Sequence, residues 1–366
     1  MGQLIERVRA AATDGSPLCI RGGGTKDFFG GVLVGDPIDT KPLCGISSYE
    51  PSELVITALA GTTLAEIEAA LAQRNQYLPF EPPRFNIGGT VGGMVAAGLS
   101  GPARANVGSV RDYVLGATLL NGRAEVLTFG GQVMKNVAGY DVSRALAGSL
   151  GVLGLIMEVS LKVMPIAPAE VTLEFELDEA DALRQLNAWA GQPLPLSASC
   201  WTAARGTGTL YLRLRGAKAS IEATCLRLGG RRMDDADAVA IWRGCRDHSA
   251  SWFATANGEY DLWRLSVPQA APVLPLAGMR LVEWHGGLRW YFVPPGQAET
   301  VRATVRAAGG HATLFRPAIR EAARTATPAT QPFDSLSTPL ARIHHRLKQE
   351  FDPLNIFNRG RLYGHL

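Results

Sequence analysis

Two glycine-rich segments constrain this chain more than any other feature. The first follows the apolar run Pro17 to Ile20, which predicts a strand, and consists of Arg21, Gly22, Gly23, Gly24, Thr25 and Lys26. Consecutive glycines expose unhindered backbone N–H groups, and a hydroxyl and two cations add to the equipment needed to hold a pyrophosphate. A glycine run after a strand is as often a simple turn, so this segment alone leaves both interpretations open.

The second segment, residues 90–98, has small residues at nearly every position and reads TVGGMVAAG. This composition indicates that the backbone passes close to something bulky, although close helix packing is the alternative. A strand at Leu54 to Leu59 and a helix at Thr63 to Leu71 are predicted between the two segments. The presence of both glycine segments favours a ligand over two separate structural turns.

The first half of the chain predicts an α+β fold with antiparallel strands. Val110 to Leu120 and Arg123 to Phe129 predict two strands joined by a two-residue Asn121-Gly122 turn. Strands and helices do not alternate regularly, and no acidic ribose ligand follows the first glycine segment at the required spacing. These features exclude a doubly wound nicotinamide-binding fold.

The composition changes after Glu170, where glycine thins out and the tryptophans begin. Predicted strands (Thr209 to Leu214, Leu288 to Phe292) alternate there with predicted helices (Ala180 to Ala190, Ala298 to Ala308). Two prolines between Met164 and Pro168 mark a boundary, Thr325 to Thr338 is predicted as a loop, and Leu340 to Phe351 as a last helix. We therefore predict a first domain at 1–166, an α+β cap domain at 167–330, and a segment at 331–366 that returns to the first domain.

Charge and cysteine content exclude several classes of function. The net charge is only +3, with no basic stripe of the kind that nucleic acid requires. The five cysteines include no C-x-x-C pair, which argues against an iron–sulfur cluster or structural zinc.

The N-terminal segment predicts an amphipathic helix without signal-peptide features, and the apolar run Ala145 to Met157 is too short to span a membrane. We expect a cytoplasmic protein.

Several ordered motifs resemble the FAD-binding domain of the vanillyl-alcohol oxidase and p-cresol methylhydroxylase family. They are RGGGTK at 21–26, TVGGMVAAGLSGP at 90–102, the long stretch from Gly108 to Pro165, and KQEFDPLNIFNRGRL at 348–362. Within this family the chain most resembles the FAD-binding subunits of bacterial glycolate oxidases, through residues 98–102 and 108–112 and the Glu283-Trp284 and Arg289-Trp290 pairs.

The resemblance implies FAD as cofactor and assigns its ligands. Arg21 to Lys26 would hold the pyrophosphate, and Thr90 to Gly93 would run along the diphosphate and flavin. Gly151 to Ile156 would lie near the adenine and ribose. The implied FAD-binding residues are Arg21, Gly22, Gly23, Gly24, Thr25, Lys26, Thr90, Val91, Gly92, Gly93, Gly98, Asp112, Gly151, Gly154 and Ile156.

Two departures from the family pattern affect this assignment. Many relatives attach FAD covalently through a histidine after the glycine triplet, whereas this chain has Thr25, so we expect non-covalent FAD. Relatives carry polar side chains at the positions of Leu150, Val152 and Met157. In this chain, contacts with the cofactor at these positions would come from the backbone.

The sequence does not identify a catalytic base or a metal site. His248, His285 and His311 form no ligand-spaced pair, and His285 is the best of the three only because Glu283, Trp284, Arg289 and Trp290 lie near it in sequence. Arg289 could pair with a substrate carboxylate, but a surface or ion-paired arginine is the interpretation we prefer. Lys135 to Asp141 is predicted to pack around the flavin, and the adjacent His344-His345 pair is not arranged to chelate one ion.

The resemblance further implies a complex that oxidises glycolate, a 2-hydroxy acid. The partners would be a larger FAD-containing catalytic subunit and an iron–sulfur subunit, with membrane contact at the inner face of the cytoplasmic membrane only through partners. Alternatives are a structural or electron-relay FAD subunit, a stand-alone flavin oxidase of another alcohol, a flavin reductase of a nucleotide sugar, and an assembly scaffold.

Overall fold

The computed structural model describes residues 2–131, 141–203, 208–255, 258–319 and 330–366. Contacts divide the chain into two compact units. Unit 1 comprises Met1–Leu99, Ser109–Pro165 and Ser335–Leu366, and unit 2 comprises Ser100–Gly108 and Ile166–Asp334. Both contain helices and antiparallel sheets, which confirms the predicted α+β class. The domain boundaries given above stay a prediction.

Helices and strands are numbered along the described chain. The strands are β1 (Leu18–Arg21), β2 (Asp36–Asp39), β3 (Ile46–Glu50), β4 (Val55–Leu59), β5 (Gln76–Tyr77), β6 (Val114–Leu120), β7 (Val126–Gly130), β8 (Leu155–Lys162), β9 (Met164–Pro165), β10 (Ala169–Glu176), β11 (Leu196–Ala203), β12 (Gly208–Gly216), β13 (Arg231–Arg232), β14 (Asp261–Ser266), β15 (Met279–Glu283), β16 (Leu288–Val293) and β17 (His311–Arg316). The helices are α1 (Gly2–Asp14), α2 (Leu64–Ala72), α3 (Val91–Ala97), α4 (Arg104–Val107), α5 (Val110–Tyr113), α6 (Val142–Ala145), α7 (Glu179–Ala190), α8 (Lys218–Leu228), α9 (Asp235–Asp247), α10 (Ser251–Ala254), α11 (Ala298–Ala307) and α12 (Thr338–Phe351). Short 3₁₀ turns lie at Pro51–Glu53 and Trp284–Gly286.

Unit 1 is built on a five-stranded antiparallel sheet in the order β3-β4-β8-β6-β7. Helices α2 and α3 pack their apolar residues into the core beside this sheet. The short strands β1 and β2 pair in parallel, so that β1 ends at Arg21 and leads directly into the first glycine segment. The fold therefore places this segment at the end of a strand, as the sequence predicts.

Helix α2 follows from its sequence. Leu64, Ile67 and Leu71 recur at helical spacing and are buried, and the side chain of Thr63 accepts a hydrogen bond from the N–H of Glu66 at 3.2 Å. A threonine N-cap of this kind satisfies one of the N–H groups that a helix start leaves open. The predicted helix is confirmed, with Thr63 as its N-cap.

Two predictions for the β6–β7 region are wrong. Residues 110–113 form the helical turn α5 instead of strand, because Ser109 and Asp112 make a reciprocal capping box that favours a helix start. The connection is not a two-residue turn, because Leu120 pairs with Val126 and leaves a loop at 121–125. The side-chain oxygen of Asn121 accepts the N–H groups of Arg123 and Glu125, both at 2.9 Å, and so organises the longer loop.

The C-terminal segment closes unit 1. Its residues Ile356 and Phe357 belong to a core cluster that includes Leu18 of β1 and Val8 of α1. The N–H of Leu18 donates to the carbonyl of Ile356 at 2.7 Å. The final residues therefore lie against the strand that feeds the first glycine segment.

Unit 2 contains an eight-stranded sheet in the order β13-β10-β12-β11-β15-β16-β14-β17, with every neighbouring pair antiparallel. One apolar cluster joins α7 and α8 to β10, β11 and β12, and a second joins α11 to β14, β16 and β17. The strands at Thr209–Leu214 and Leu288–Phe292 and the helices at Ala180–Ala190 and Ala298–Ala308 are thus confirmed within one or two residues. Among the described residues, no helix has both the length and the apolar character to cross a membrane.

Candidate functional site

A pocket in unit 1 lies where β1 ends, and it contains about 760 Å³ of space, part of which is open to solvent. Most of the sequence-predicted FAD ligands line it. These are Arg21, Gly22, Gly23, Gly24, Thr25, Lys26, Thr90, Gly92, Gly93, Gly151, Gly154 and Ile156. The structure thus brings together in one place three segments that are far apart in sequence.

The first glycine segment carries unpartnered donors. In the part of the chain that the structure describes, the N–H groups of Gly22, Gly23, Gly24 and Thr25 make no hydrogen bond, whereas the N–H of Asp27 donates to the carbonyl of Gly24 at 3.2 Å. Backbone N–H groups of folded proteins nearly always have a partner. A run of four open donors at the wall of a pocket is therefore the geometry of an anion site.

Close packing explains why this segment needs glycine. A Cβ at Gly23 would stand 1.7 Å from the carbonyl oxygen of Gly88, and one at Gly22 would stand 2.5 Å from Oγ1 of Thr90. Gly24 has φ +70°, in the left-handed region that favours glycine. The glycines let the 21–26 loop lie directly against the 88–90 segment, and this contact keeps their N–H groups at the pocket wall.

The charges around the pocket are predominantly positive. Nη2 of Arg21 lies 2.5 Å from Oδ2 of Asp27, and this carboxylate raises the pKa of Arg21. Lys26 places Nζ 5.6 Å from the ring centre of Phe85. The buried guanidinium of Arg361 donates to the carbonyls of Asp27 and Phe29, and burial lowers its pKa against the opposing effect of Asp27. Three cations against one carboxylate leave an excess of positive charge.

The second glycine segment lies at the start of helix α3, and the backbone N–H groups of its first residues already donate hydrogen bonds within the protein. Thr90 is the N-cap of α3, and its Oγ1 accepts from the N–H of Gly93 at 3.2 Å. The N–H of Gly92 donates to the carbonyl of Ala60 at 2.8 Å, and that of Val91 to the carbonyl of Thr62 at 2.9 Å. Gly92 and Gly93 therefore contribute an unobstructed surface to the pocket, while open N–H donors are found in the 22–25 loop.

Asn358 connects two walls of the pocket. Its side-chain oxygen accepts the N–H of Ile20 at 2.7 Å, and its amide donates to the carbonyl of Leu150 at 2.6 Å. A Cβ at Gly151 would stand 2.6 Å from Nδ2 of Asn358, so the glycine allows this approach. The C-terminal segment thereby fixes β1 and the 150–154 loop at their present separation.

Three of the predicted ligands do not line the pocket. The side chain of Val91 is buried in the unit 1 core. Gly98 ends α3 with φ +63°, where a Cβ would stand 2.8 Å from the backbone of Gly148. Asp112 caps α5, and although burial acts to raise its pKa, hydrogen bonds from the N–H and hydroxyl of Ser109 lower it. All three have evident structural roles.

Sequence reasoning missed several lining residues. They are Ile20, Asp27, Leu33, Thr40, Ala60, Ala96, Ala97, Leu150, Asn358 and Arg361. A signal existed for Asn358 and Arg361, because both belong to the closing motif at 348–362. Thr40 and Ala60 carry no signal, since neither residue type nor spacing marks them.

The candidate catalytic residues of unit 2 have specific environments. His248 stacks on Phe253 with ring centres 4.0 Å apart, and burial holds its pKa well below the usual range. His285 is 3% exposed, and burial lowers its pKa to about 4. His311 is exposed at the end of β17, with a pKa that burial lowers. Among the described residues, no group of three His, Cys, Asp or Glu side chains could hold a metal ion.

Arg289 has a structural role. Its fully buried guanidinium donates to the carbonyls of Gly286, Pro272 and Ala271, the last two at 2.5 Å. The proposed contact with a substrate carboxylate is therefore wrong for this residue, because its donors already have partners. Lys135 to Tyr140, most of the segment predicted to pack around the flavin, lie outside the described residues.

Comparison with known proteins identifies the family. A model of the FAD binding domain matches residues 1–130. Glycolate oxidase subunit GlcE of Escherichia coli strain K12 is 41% identical over 363 residues, which cover 99% of this chain and 97% of that protein. The chain belongs to the GlcE family. Its cofactor is FAD, and it is an FAD-dependent oxidoreductase. The resemblance found in the sequence is confirmed.

Other relatives share only part of the chain with this GlcE family member. Glycolate oxidase subunit GlcD of Bacillus subtilis is 29% identical over 171 residues, or 47% of this chain and 35% of that protein. A D-lactate dehydrogenase of Archaeoglobus fulgidus is 32% identical over 158 residues, or 41% of this chain and 33% of that protein. These relatives are therefore similar over about one third of their own length.

Proposed function

We propose that this chain is the FAD-binding subunit of a complex that oxidises glycolate, a 2-hydroxy acid, to glyoxylate and passes the electrons to an iron–sulfur subunit. A larger FAD-containing catalytic subunit would complete the complex. The proposal is supported by the similarity to GlcE over almost the whole chain and by the separate similarity to GlcD. We place the protein in the cytoplasm, with contact to the inner face of the cytoplasmic membrane through its partners.

The pocket of unit 1 carries this proposal because its donors suit a dinucleotide pyrophosphate. The open N–H groups of residues 22–25 would accept the phosphate oxygens, and Arg21 and Lys26 would balance their charge. The bare backbone of Gly92 and Gly93 allows a planar group to approach α3 closely. Gly151, Gly154 and Ile156 would lie against the adenosine part.

FAD would supply the redox chemistry, the acceptance of a hydride from the carbon that bears the substrate hydroxyl. The protein would bind and orient it without a covalent bond, because Thr25 offers no ring nitrogen for attachment. Asn358 and Arg361 would keep the pocket walls in place. None of these residues moves a proton from the substrate.

A second candidate function is a structural or electron-relay FAD, with glycolate oxidised in a partner. One observation favours it: His285 is buried, and His248 is stacked on Phe253 with a pKa that burial holds well below its usual range, so neither of these two is placed as an accessible base. A stand-alone oxidase of another alcohol would need such a base as well. The relay function is therefore the main competitor.

The two candidate functions are distinguished by an anaerobic visible spectrum of the purified FAD-loaded chain. The spectrum is recorded before and after glycolate is added. Bleaching of the flavin band would establish that this subunit itself oxidises the 2-hydroxy acid. A band that persists with glycolate, but bleaches when the purified partner subunits are added, would favour the relay. Failure of this chain to co-purify with any flavin or iron–sulfur subunit would overturn the proposed complex.

A further inference from the structure

We propose that the outer side of the last helix, α12, is a docking surface for an amphipathic helix of another subunit, whose apolar face is bordered by carboxylates. The inference rests on the proposed function, which makes this chain one subunit of a complex. It goes beyond that function by naming the surface that the partner covers and the chemistry of the partner's side.

The inner side of α12 is occupied by unit 1 itself. Lys348 is buried on this side. The ring of Phe351 lies 6.0 Å from that of Phe129, and the ring of His344 lies 5.6 Å from that of Tyr363, both measured between ring centres. These contacts fix the rotation of the helix about its own axis, and so they define which residues face outward.

Three large apolar side chains of α12 face outward and are exposed. Leu340, Ile343 and Leu347 are 49%, 53% and 36% exposed. Successive residues of a helix are about 100° apart, so these three fall within a sector of about 60°. Single apolar side chains on a surface are ordinary, but an aligned row on one helix indicates an interaction site. We call this row the apolar stripe.

The shape of the apolar stripe favours a helix as its occupant. The spacing of its members, i, i+3 and i+7, is that of the a and d positions along a coiled-coil seam, where one partner helix packs. A helix that lies in a lipid surface needs a broad apolar face instead. The apolar residue that would widen the stripe, Phe351, already packs against the core of unit 1.

Basic side chains border the apolar stripe on the side away from the core. Arg346 and then Arg342 follow Ile343 around the helix, and both are exposed. Within the part of the chain that the structure describes, neither makes a hydrogen bond or an ion pair. Arg123 donates to the carbonyl of Glu350 at 3.1 Å and brings a third guanidinium to the one carboxylate on this border. The border is therefore positive, and carboxylates on a partner would complement it.

The same charges disfavour a second copy of this chain as the occupant. In an antiparallel pair of α12 helices centred on Leu347, the two Arg346 side chains would face each other beside the seam. Charges at such flanking positions select partners, because opposite charges attract across the seam and like charges repel. A partner helix with Asp or Glu at the flanking positions is the complementary occupant.

The test uses the full chain, co-expressed and purified with the larger FAD subunit and the iron–sulfur subunit. Photo-reactive benzoylphenylalanine is incorporated in place of Ile343, and the purified complex is irradiated, with and without vesicles that contain phosphatidylglycerol. Mass spectrometry then identifies what is attached. We expect a peptide of another subunit in which apolar residues recur at three- and four-residue spacing, with Asp or Glu beside them.

Point variants measure the contribution of the surface to assembly. Ile343→Glu should weaken the association of separately purified subunits by roughly tenfold or more, and Arg346→Glu should weaken it while Arg346→Lys retains most of it. Val239→Glu on α9 is the matched control, because Val239 is an apolar helix residue that is also 53% exposed. All four variants should keep the native melting temperature and FAD content, whereas a purely structural role of Ile343 would lower the melting temperature.

The outcomes separate the docking surface from the proposed complex. Native affinity in both Ile343→Glu and Arg346→Glu, or an adduct with lipid, with a second copy of this chain or with a peptide that lacks the acidic pattern, would overturn the docking surface and leave the complex standing. Arg346→Glu removes no apolar contact, so it decides the question if Ile343→Glu does not fold. Failure of the native subunits to associate would overturn both.

Discussion

Lys348 and Asp352 form a buried ion pair one helical turn apart, with Nζ 2.7 Å from Oδ2. The same Nζ donates to the carbonyls of Val152 and Phe357, at 2.8 and 2.9 Å. The carboxylate of Asp352 accepts the N–H groups of Ile356 and Phe357. One ion pair therefore connects the last helix, the closing segment and the loop that forms a wall of the pocket.

The pair should be essential for stability because neither charge can reach water. Asp352→Asn leaves the ammonium of Lys348 buried without its counter-ion, and we expect the free energy of unfolding to fall by about 3–5 kcal/mol. Urea denaturation followed by circular dichroism measures the loss. The exposed Glu350→Gln on the same helix is the control and should change stability by less than about 0.5 kcal/mol. A loss in Asp352→Asn no larger than that of the control would contradict this account.

Gly23→Ala should reduce FAD binding through packing alone. The new Cβ would stand 1.7 Å from the carbonyl oxygen of Gly88, so the 21–26 loop must shift and its N–H groups lose their common direction. We expect at least a tenfold loss of FAD affinity, measured by fluorescence titration of the apoprotein, because a charge-assisted hydrogen bond contributes about 1.5–3 kcal/mol. Gly191→Ala, where the nearest atom would be 3.9 Å away, is the control. A Gly23→Ala protein with native FAD affinity would reject this role of the loop. Gly23→Asp is a poorer test, because it combines the same clash with a negative charge.

Acid precipitation of the holoprotein should release all of its FAD. Thr25 occupies the position after the glycine triplet, and its hydroxyl does not form a flavin bond of the kind that a histidine ring nitrogen forms. The measurement is the flavin absorbance of the supernatant against that of the pellet, with mass spectrometry of the denatured chain. A chain mass increased by one FAD would show that attachment occurs at another residue.

The fold could be predicted where local pattern and packing agree. The apolar spacing of α2 and its threonine cap point to the same helix, and the structure contains it. The prediction for the β6–β7 connection was wrong because Asn121-Gly122 favours a tight turn locally. In the structure, the side chain of Asn121 instead accepts two downstream N–H groups, and the loop is longer. Competition between a turn propensity and a side-chain hydrogen bond is not visible in spacing alone.

The pocket residues likewise include some that the sequence predicts and others that it does not. Its glycines can be predicted because repeated small residues are conspicuous in the sequence, and Asn358 lies in the closing motif at 348–362. Proximity in sequence to His285 suggests Arg289 as a substrate contact, yet its guanidinium donates to three backbone carbonyls. Arg289 lies on β16, which pairs with β14, and two of the carbonyls that it binds belong to the loop after β14. Such pairings between distant strands depend on tertiary structure.

Stability should fall as the pH is lowered from about 6.5 toward 4, and His285 should account for part of the fall. Burial lowers its pKa from 6.5 to about 4, so in this interval the unfolded chain binds a proton that the folded chain does not. Stability is therefore complete above the unfolded pKa and is lost with decreasing pH, by up to about 1.4 kcal/mol per pH unit for one histidine. The pKa of His248 is also lowered, mainly by desolvation, which adds a loss in the same direction.

The variant His285→Gln isolates this contribution, because glutamine cannot bind the proton in either state. We expect its free energy of unfolding to depend less steeply on pH than that of the native protein between pH 6.5 and 4, whatever the change in absolute stability at pH 7. The exposed His345→Gln serves as the control and should leave the slope unchanged. Equal slopes in His285→Gln and the native protein would mean that His285 binds its proton equally in the folded and unfolded states, so that burial does not lower its pKa.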